Sequence, residues 1–485
     1  MIDFKIVNKI LGTLLFMEAF MMAVCLVMSL CYGEDDSLAF LLSIICTLLV
    51  GFILRYKGRN AGNNLSRREA YLVVNLVWIL FSIMGTLPFI IGGYLPTFTD
   101  AFFENMSGFT TTGATIIDDV EVLPHGILFW RSLTHWIGGL GIVFFTVALL
   151  PSMVGGSTRV FAAESTGPFH TKLHPRLSTN TKWIGVVYIT LTVACILCYV
   201  CLGMSWFDGI NYAMATTATG GFSTHNASVE YFNSPAIDYV CTFFMFISGV
   251  SFTLLYFCVA KLKFKQLFKN SELRFYITIV VFFTAIVMYQ LVVHNHYGLE
   301  HAFRSSVFHV VAYITTTGFY NDDATFWPHI VWVVLSVCMF FGACSGSTSG
   351  GFKCVRVVML LRVVQNEFKQ ILHPNAVLPL RIDGQNVSEQ KRITLLAFLT
   401  CYLILCVIAS VVLIASGIDN TNAITITLSS LGNVGPTLGR EIGAIQSWNV
   451  LPFYAKWICS ILMLIGRLEI FSVLVILTPG FWNKN

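Results

Sequence analysis

Long apolar segments alternate with shorter polar segments along the whole chain. Two apolar segments come first, at about residues 10–32 and 38–56. Eight more follow in four pairs, at about 71–92 and 127–150, 183–203 and 236–259, 275–293 and 328–344, and 393–415 and 453–478. Because about 20 apolar residues in a helix cross the hydrocarbon core of a bilayer, this pattern predicts an all-α, polytopic membrane protein.

Each pair of apolar segments encloses a shorter amphipathic segment that is too brief to cross a bilayer. We place these half-helices at residues 98–109, 206–217, 301–315 and 420–431. The repeat predicts two N-terminal transmembrane helices and then four helix–half-helix–helix units around a central pore. The expected bounds are 1–66 for the N-terminal pair, and 67–152, 181–262, 272–372 and 390–485 for the four units.

A short uncharged stretch rich in threonine and glycine follows every half-helix. Backbone that is not helical occurs at membrane depth only where protein buries it or where it lines a watery cavity. Glycine takes the positive φ that turns carbonyls toward one axis, and a ring of carbonyls can replace the water shell of a cation. One such stretch could be an ordinary turn, but four favour a cation filter. Its expected residues are Thr111, Thr112, Gly113, Ala218, Thr219, Gly220, Thr316, Thr317, Gly318, Asn433, Val434 and Gly435.

Composition supports a membrane protein. The chain has 485 residues, of which 56% are hydrophobic and 11% charged, whereas soluble domains carry about 25% charged residues. The net charge of +4 is small, and we expect no nucleic-acid partner. The histidines and serines form no His-Glu-x-x-His motif and no nucleophile elbow, so we do not expect an enzyme.

The positions of the charged residues predict the orientation. Basic residues cluster in the connectors between units, and an excess of lysine and arginine marks the cytoplasmic side. The threonine and glycine stretches would therefore enter from the outside. The loops beside them are acidic, and these acids either concentrate cations at an outer mouth or are ordinary solvated loop charges. They are Asp118, Asp119, Glu121, Asp322 and Asp323.

The chain resembles the potassium-uptake membrane subunits of the Trk/Ktr/HKT superfamily over nearly its whole length. The four stretches carry the resemblance, together with RSLTHWIGGLG at residues 131–141, ATGGFST at 218–224 and GSTSGGFK at 346–353. The two extra N-terminal helices point to the TrkH branch rather than to the shorter KtrB branch. The fourth stretch departs from the threonine-rich pattern because Asn433-Val434 stands in place of Thr-Thr.

The resemblance implies potassium uptake across the bacterial inner membrane through a channel-like filter, with K⁺ as the transported ion. It also implies homodimers embedded in membrane lipid and a cytoplasmic nucleotide-binding regulatory subunit of the TrkA type. The basic connectors would offer a docking face, although positive-inside bias alone also explains them. The alternative function is a cation-coupled secondary transporter of a small solute, which usually has two related halves rather than four units. Coupling to protons or sodium stays open.

A run of glycine and serine interrupts the second apolar segment of the third unit. Such runs unwind helices, and the resemblance implies a mobile loop, at 345–352, that gates ion flow below the filter. A kink with its serines bonded back to the helix is the alternative. Arg467 lies within the last apolar segment, where the resemblance implies an electrostatic barrier and a structural pair is the alternative. The expected gate residues are Gly346, Ser347, Thr348, Ser349, Gly350, Gly351, Lys353 and Arg467.

Overall fold

The computed structural model describes residues 2–62, 65–141, 177–259, 267, 269–376, 378–439, 442–443 and 445–483. Regular structure in these residues is helical apart from one short β-hairpin, in which β1 (Arg381–Ile382) pairs antiparallel with β2 (Gln385–Asn386). Several of the basic residues in the connectors between units, on which the predicted orientation depends, lie outside the described part of the chain. They are Lys172, Arg176, Lys261, Lys263 and Lys265.

Two long helices at the N-terminus, α1 (Phe4–Tyr32) and α2 (Ser37–Lys57), pack against each other. The Asp3 side chain accepts from the Lys5 N–H at the start of α1, and Gly33 ends the helix at φ 67°. A β-carbon on Gly12 would lie only 2.6 Å from the Gly51 carbonyl oxygen. Small residues therefore allow the two backbones to approach closely, as is common between membrane helices.

Four sets of helices follow. The first comprises α3 (Arg67–Gly85), α4 (Leu87–Ile91), α5 (Phe98–Phe109) and α6 (His125–Leu140), and the second α7 (Leu177–Cys201), α8 (Trp206–Ala218), α9 (Pro235–Ser248) and α10 (Phe252–Val259). The third comprises α11 (Ser271–His294), α12 (Leu299–Ile314), α13 (His329–Phe340) and α14 (Cys354–Leu372). The last comprises α15 (Glu389–Ala415), α16 (Asn420–Gly432), α17 (Phe453–Arg467), α18 (Ile470–Leu477) and α19 (Pro479–Trp482). The unit boundaries given above stay a prediction.

Among the residues that the structure describes, six helical segments are long and apolar enough to cross a membrane: Phe4–Tyr32, Ser37–Lys57, Arg67–Ile91, Trp183–Cys201, Ser271–His294 and Glu389–Ala415. The helical, multi-pass fold predicted from the apolar pattern is therefore confirmed. Short 3₁₀ turns at Ser228–Phe232, Ala324–Phe326 and Trp448–Val450 lie in the loops directly before α9, α13 and α17.

The second apolar segment of a set is not one continuous helix, contrary to our expectation for three of the four sets. α9 and α10 are bent by 104°, and α17 and α18 by 114°. α13 ends at Phe340 and α14 begins only at Cys354. α6 ends at Leu140 beside Gly141, which has φ 47°, and residues 142–150 lie outside the described residues. Apolar composition continues across these breaks, so only the glycine and serine run of the third set was visible in sequence.

Helices α5, α8, α12 and α16, which we call the four short helices, match the predicted half-helices within two residues at either end. Three of them begin with a side-chain N-cap. Thr97 accepts from the Asp100 N–H, Ser205 from the Asp208 N–H, and Asp419 from the Thr421 N–H. The first N–H groups of a helix have no partner within the helix, and these side chains accept from them. The caps therefore fix where the three short helices start.

Candidate functional site

All four short helices end in the same backbone turn. A backbone N–H two or three residues past the helix end donates to the carbonyl five residues back, with distances of 2.8–2.9 Å for Thr112 to Ser107, Gly220 to Ala215, Thr317 to Ala312 and Val434 to Ser429. The residue before each donor is left-handed, with φ of 53° at Thr111, 55° at Thr219, 57° at Thr316 and 55° at Asn433. This combination is the Schellman motif that closes many helices.

The left-handed residue in this turn is strained. Glycine normally occupies the position, whereas a β-branched residue with positive φ is a genuine outlier that costs on the order of 1–3 kcal/mol. Here threonine occupies it three times and asparagine once. Strain of this kind persists where surrounding structure holds it and clusters at functional sites, which makes the four turns the first candidate for a site.

A second positive φ occurs two residues later, always at glycine. The angles are 81° at Gly113, 83° at Gly221, 77° at Gly318 and 101° at Gly435. The expected register of the second stretch is therefore wrong by one residue, because Gly221 rather than Gly220 is equivalent to the other three glycines. Ala218 is the last residue of α8, and the equivalent triplet is Thr219-Gly220-Gly221.

These four glycines, which we call the ring glycines, each face the carbonyl oxygen of the next stretch. A β-carbon added to any of them would overlap that oxygen. The contacts run from Gly113 to Gly220, from Gly221 to Thr317, from Gly318 to Val434, and from Gly435 back to Thr112. Because the fourth contact returns to the first stretch, the four stretches meet in a closed ring.

The backbone oxygens at this ring are unpaired. Within the described residues, no N–H or hydroxyl group donates to the carbonyls of Thr111, Thr112, Thr219, Gly220, Thr316, Thr317, Asn433 or Val434. More than about 90% of buried backbone polar groups in proteins are paired. The same part of the chain holds no group of three or more His, Cys, Asp or Glu side chains that could bind a metal ion. A cation at the ring would therefore bind to carbonyl oxygens.

A cavity of about 390 Å³, which we call the vestibule, opens from one side of the ring. All four ring glycines line it, together with Asp118, Glu230 and Arg131. Among the acidic residues expected at a mouth, only Asp118 lines this cavity. Asp119 and Glu121 instead accept hydrogen bonds from Asn226, at 2.7 and 3.1 Å. Glu230 could not be identified from the sequence, because it lies in the loop after the second stretch and belongs to no recognisable motif.

Glu230 should make ion entry sensitive to pH. Burial raises its pKa, and the nearby carboxylates of Asp322, Asp323 and Asp238 raise it further. Lowering the pH through this raised pKa removes a negative charge from the vestibule, so cation uptake should fall by about two- to fivefold between pH 7 and 5. Glu230→Gln should flatten this profile, whereas Asp119→Asn should not. An unchanged profile in the Glu230→Gln protein would contradict the assignment.

A buried ion pair contacts the residues that follow the first and second stretches. Arg131 Nε lies 2.9 Å from Glu104 Oε1, with side-chain exposures of 3% and 1%. Arg131 Nη1 also donates to the Ser223 carbonyl at 3.0 Å, and Glu104 Oε2 accepts from the Ile116 N–H at 2.9 Å. The pair thus connects the chain after Gly113 with the chain after Gly221. Arg131 was noted only as part of a family motif, and Glu104 was missed.

Breaking this pair should destabilise the protein strongly. Glu104→Gln leaves a buried guanidinium without its counter-charge, which costs roughly 3–5 kcal/mol. The midpoint of thermal unfolding in detergent should fall accordingly. The double variant Glu104→Gln/Arg131→Gln leaves no unpaired charge and should recover part of the loss. The exposed pair Glu389–Arg392 is the matched control, since surface pairs contribute about 0–1 kcal/mol. Equal losses in both pairs would contradict the supporting role.

The glycine and serine run, residues 346–351, is not helical and lies against the short helices; we call it the Gly/Ser loop. The Gly350 N–H donates to Thr316 Oγ1 at 2.7 Å, and Thr348 Oγ1 donates to the Thr217 carbonyl at 3.1 Å. A β-carbon on Gly350 would overlap the Gly432 carbonyl. The loop also makes local bonds, such as Ser347 Oγ to the Cys344 carbonyl at 2.6 Å. It therefore contacts the ends of α8, α12 and α16 directly.

Arg467 and Lys353 both bind to this loop. Arg467 Nη1 donates to the Thr348 carbonyl at 2.9 Å, and its Nη2 donates to the Gly139 carbonyl at 3.2 Å. Lys353 is buried and its Nζ donates to the Ser349 carbonyl. Arg467 thus bridges the third and first sets from the end of α17. Glu469 pairs with Arg356 at 2.5 Å, a contact that sequence reasoning missed because the two lie in different sets.

The chain is similar to known potassium transporters over nearly its full length. The TrkH family model, described as a cation transport protein, matches residues 36–482. The Trk system potassium uptake protein TrkH of Halomonas elongata is 36% identical over 482 residues, which cover 99% of each chain. The protein of the same name from Escherichia coli K12 is 36% identical over 486 residues, covering 99% of this chain and 100% of that protein. The crystal structure of the potassium transporter TrkH from Vibrio parahaemolyticus superposes with a TM-score of 0.89 at 33% identity, covering 99% of this chain and 100% of that one.

Proposed function

This chain belongs to the TrkH family of cation transport proteins, and we propose that it takes up potassium ions across the bacterial inner membrane through a carbonyl-lined filter. The filter comprises the left-handed residue, the residue that follows it and the ring glycine of each stretch. Its residues are Thr111, Thr112, Gly113, Thr219, Gly220, Gly221, Thr316, Thr317, Gly318, Asn433, Val434 and Gly435.

The observation that carries this proposal is the closed ring of backbone contacts with its unpaired carbonyl oxygens. Carbonyl oxygens without donors can coordinate a cation that has shed its water shell. All four short helices end at the ring, and a helix C-terminus carries a partial negative charge of about half an elementary charge. Both features favour a cation at the centre, and the absence of side-chain charge in the stretches allows it to leave again.

A cation-coupled secondary transporter of a small solute remains the second candidate from sequence. Such transporters bind their substrate between two related halves, whereas the ring here is built from four equivalent stretches. The four-part ring therefore favours a pore.

Control of ion flow from the side of the basic connectors is part of the proposal. The Gly/Ser loop and Arg467 would form the barrier next to the filter, supported by their contacts with each other and with the short helices. A cytoplasmic nucleotide-binding regulatory subunit of the TrkA type would act on this barrier, and two copies of the chain would form a homodimer. The family resemblance supports both partners.

The decisive test is uptake of rubidium, a potassium analogue, into liposomes that hold the purified protein. We expect uptake driven by the ion gradient alone, competed by external potassium more strongly than by sodium. Protein-free liposomes prepared in parallel give the leak rate. Uptake that requires a second solute would favour the secondary transporter, and equal competition by both ions would contradict a potassium filter.

A further inference from the structure

Glu272 lies in the first turn of α11 and is buried, at 8% exposure. A single oxygen of its carboxyl group, Oε1, accepts two backbone hydrogen bonds from the third set. The Ser345 N–H donates at 2.6 Å and the Val355 N–H at 3.1 Å. Nothing in the sequence around Glu272 marks it, because both donors are more than 70 residues away.

The two donors lie on either side of the Gly/Ser loop. Ser345 directly precedes it, and Val355 lies in the first turn of α14 just after it. The first N–H groups of a helix have no partner within that helix, and Ser345 is not helical. Glu272 therefore satisfies two backbone donors and, through one atom, holds the two ends of the loop together.

A second contact connects α11 to the protein surface. The β1–β2 hairpin turns at Asp383 and Gly384, which have φ of 48° and 80°. Asp383 Oδ1 accepts from the Ser271 N–H at 2.9 Å and from Ser271 Oγ at 2.5 Å. A carboxylate at a helix N-terminus is favourable because it opposes the partial positive charge there. The exposed hairpin is thus bound to the residue directly before Glu272.

We propose that Glu272 is a positioning residue that holds the Gly/Ser loop against the filter, and that the β1–β2 hairpin transmits a contact at the protein surface to that loop. The proposal rests on the function above, in which the loop limits ion flow. A partner that displaces Asp383 from Ser271 would shift the start of α11, and with it the oxygen that ties Ser345 to Val355.

The cysteines at the two ends of the loop provide a readout that does not depend on transport. Cys344 and Cys354 are both fully buried, whereas most reagents modify only exposed thiols. Glu272→Leu removes the acceptor of both hydrogen bonds, and modification of both cysteines by a water-soluble maleimide should become at least about tenfold faster, because the loss of even one buried hydrogen bond is worth about that much. Glu272→Gln keeps a carbonyl oxygen in place and should stay within about threefold of the original rate. Cys195, buried in α7, should be unaffected in both variants.

The hairpin is tested with a matched pair of surface variants. Asp383→Ala should raise both the modification of Cys354 and the rubidium uptake by about threefold to tenfold. Glu389→Ala, which changes an exposed acidic residue at the start of α15, should change neither. The preference for potassium over sodium should remain that of the original protein in all variants, because the filter residues are intact.

Unchanged protection of Cys344 and Cys354 in folded Glu272→Leu protein would overturn the proposal. If that variant does not fold, Asp383→Ala decides, and Cys354 modification no faster than in Glu389→Ala would overturn it. Faster modification in a protein that takes up no rubidium would support the positioning role while contradicting the transport function. The two proposals can therefore fail separately.

Discussion

Replacing Gly221 with alanine should reduce rubidium uptake by at least about a hundredfold, or roughly 2.7 kcal/mol in barrier height. Its φ of 83° disfavours any residue with a β-carbon, and that carbon would overlap the Thr317 carbonyl oxygen. The overlapped atom is backbone, so it cannot rotate away as a side chain would. Displacing this carbonyl oxygen turns one dipole of the ring away from the ion. The loss is large because the site has a low dielectric, in which the attraction between a dipole and an ion is strong. Gly113→Ala, Gly318→Ala and Gly435→Ala should act alike, since each faces the next stretch in the same way.

Gly417→Ala is the matched control for this effect. Gly417 has φ 88°, and among the described residues no heavy atom lies within 4 Å of where its β-carbon would be. Alanine there meets only backbone strain of about 1–2 kcal/mol and should leave uptake nearly unchanged. Equal losses at Gly417 and Gly221 would show that strain, rather than the carbonyl ring, limits transport. Unchanged uptake and ion preference in all four ring variants would contradict the filter assignment.

Arg467→Ala should raise basal rubidium uptake, by as much as about a thousandfold. A potassium ion that passes within about 4 Å of a guanidinium meets repulsion of about 4 kcal/mol at an effective dielectric of 20, and each 1.36 kcal/mol is tenfold in rate. The variant also removes the bonds from Arg467 to the Thr348 and Gly139 carbonyls, which releases the Gly/Ser loop. Arg467→Lys keeps the charge and should give a much smaller increase.

Shortening the Gly/Ser loop should also raise uptake. If the loop and Arg467 form one barrier, the combined variant should give less than the product of the single effects, since residues in contact are not independent. Arg392→Ala, at an exposed position, serves as the charge control. Lower uptake in folded Arg467→Ala protein would mean that the arginine is structural, and fully multiplicative effects would mean two separate barriers.

The apolar pattern was sufficient to predict the two N-terminal helices, the first long helix of each set and the short helices. Membrane thickness sets the length of the long helices, and caps such as Thr97 and Ser205 mark where short helices start. The apolar pattern was insufficient to set the register of the second stretch. Two adjacent glycines, Gly220 and Gly221, both fit the pattern, and only the position of the helix end distinguishes them. In that stretch the left-handed residue follows α8 directly, whereas in the first stretch Thr110 intervenes between α5 and Thr111.

The buried charge pairs could not be predicted for a different reason. Glu104 and Arg131 are 27 residues apart, and Arg356 and Glu469 are 113 apart. Such contacts depend on how helices that are distant in sequence pack against each other, and no local spacing rule records them. Glu469 illustrates the point, because its nearest cation in sequence is Arg467 and its partner in the structure is Arg356.

The closed ring also determines when during protein synthesis the site can exist. Its last contact joins Gly435 to Thr112, and the neighbouring bond from Asn433 to Thr112 spans 321 positions of the chain. The ion pair between Lys456 and Asp100, at 2.7 Å, also joins the last set of helices to the first. Helices of the first three sets can insert into the bilayer as they leave the ribosome, but the first stretch has no final neighbour until the last set arrives. Ring closure is therefore a late event of biogenesis. Until the last set has inserted, the strained turn of the first stretch lacks its contact with the fourth stretch.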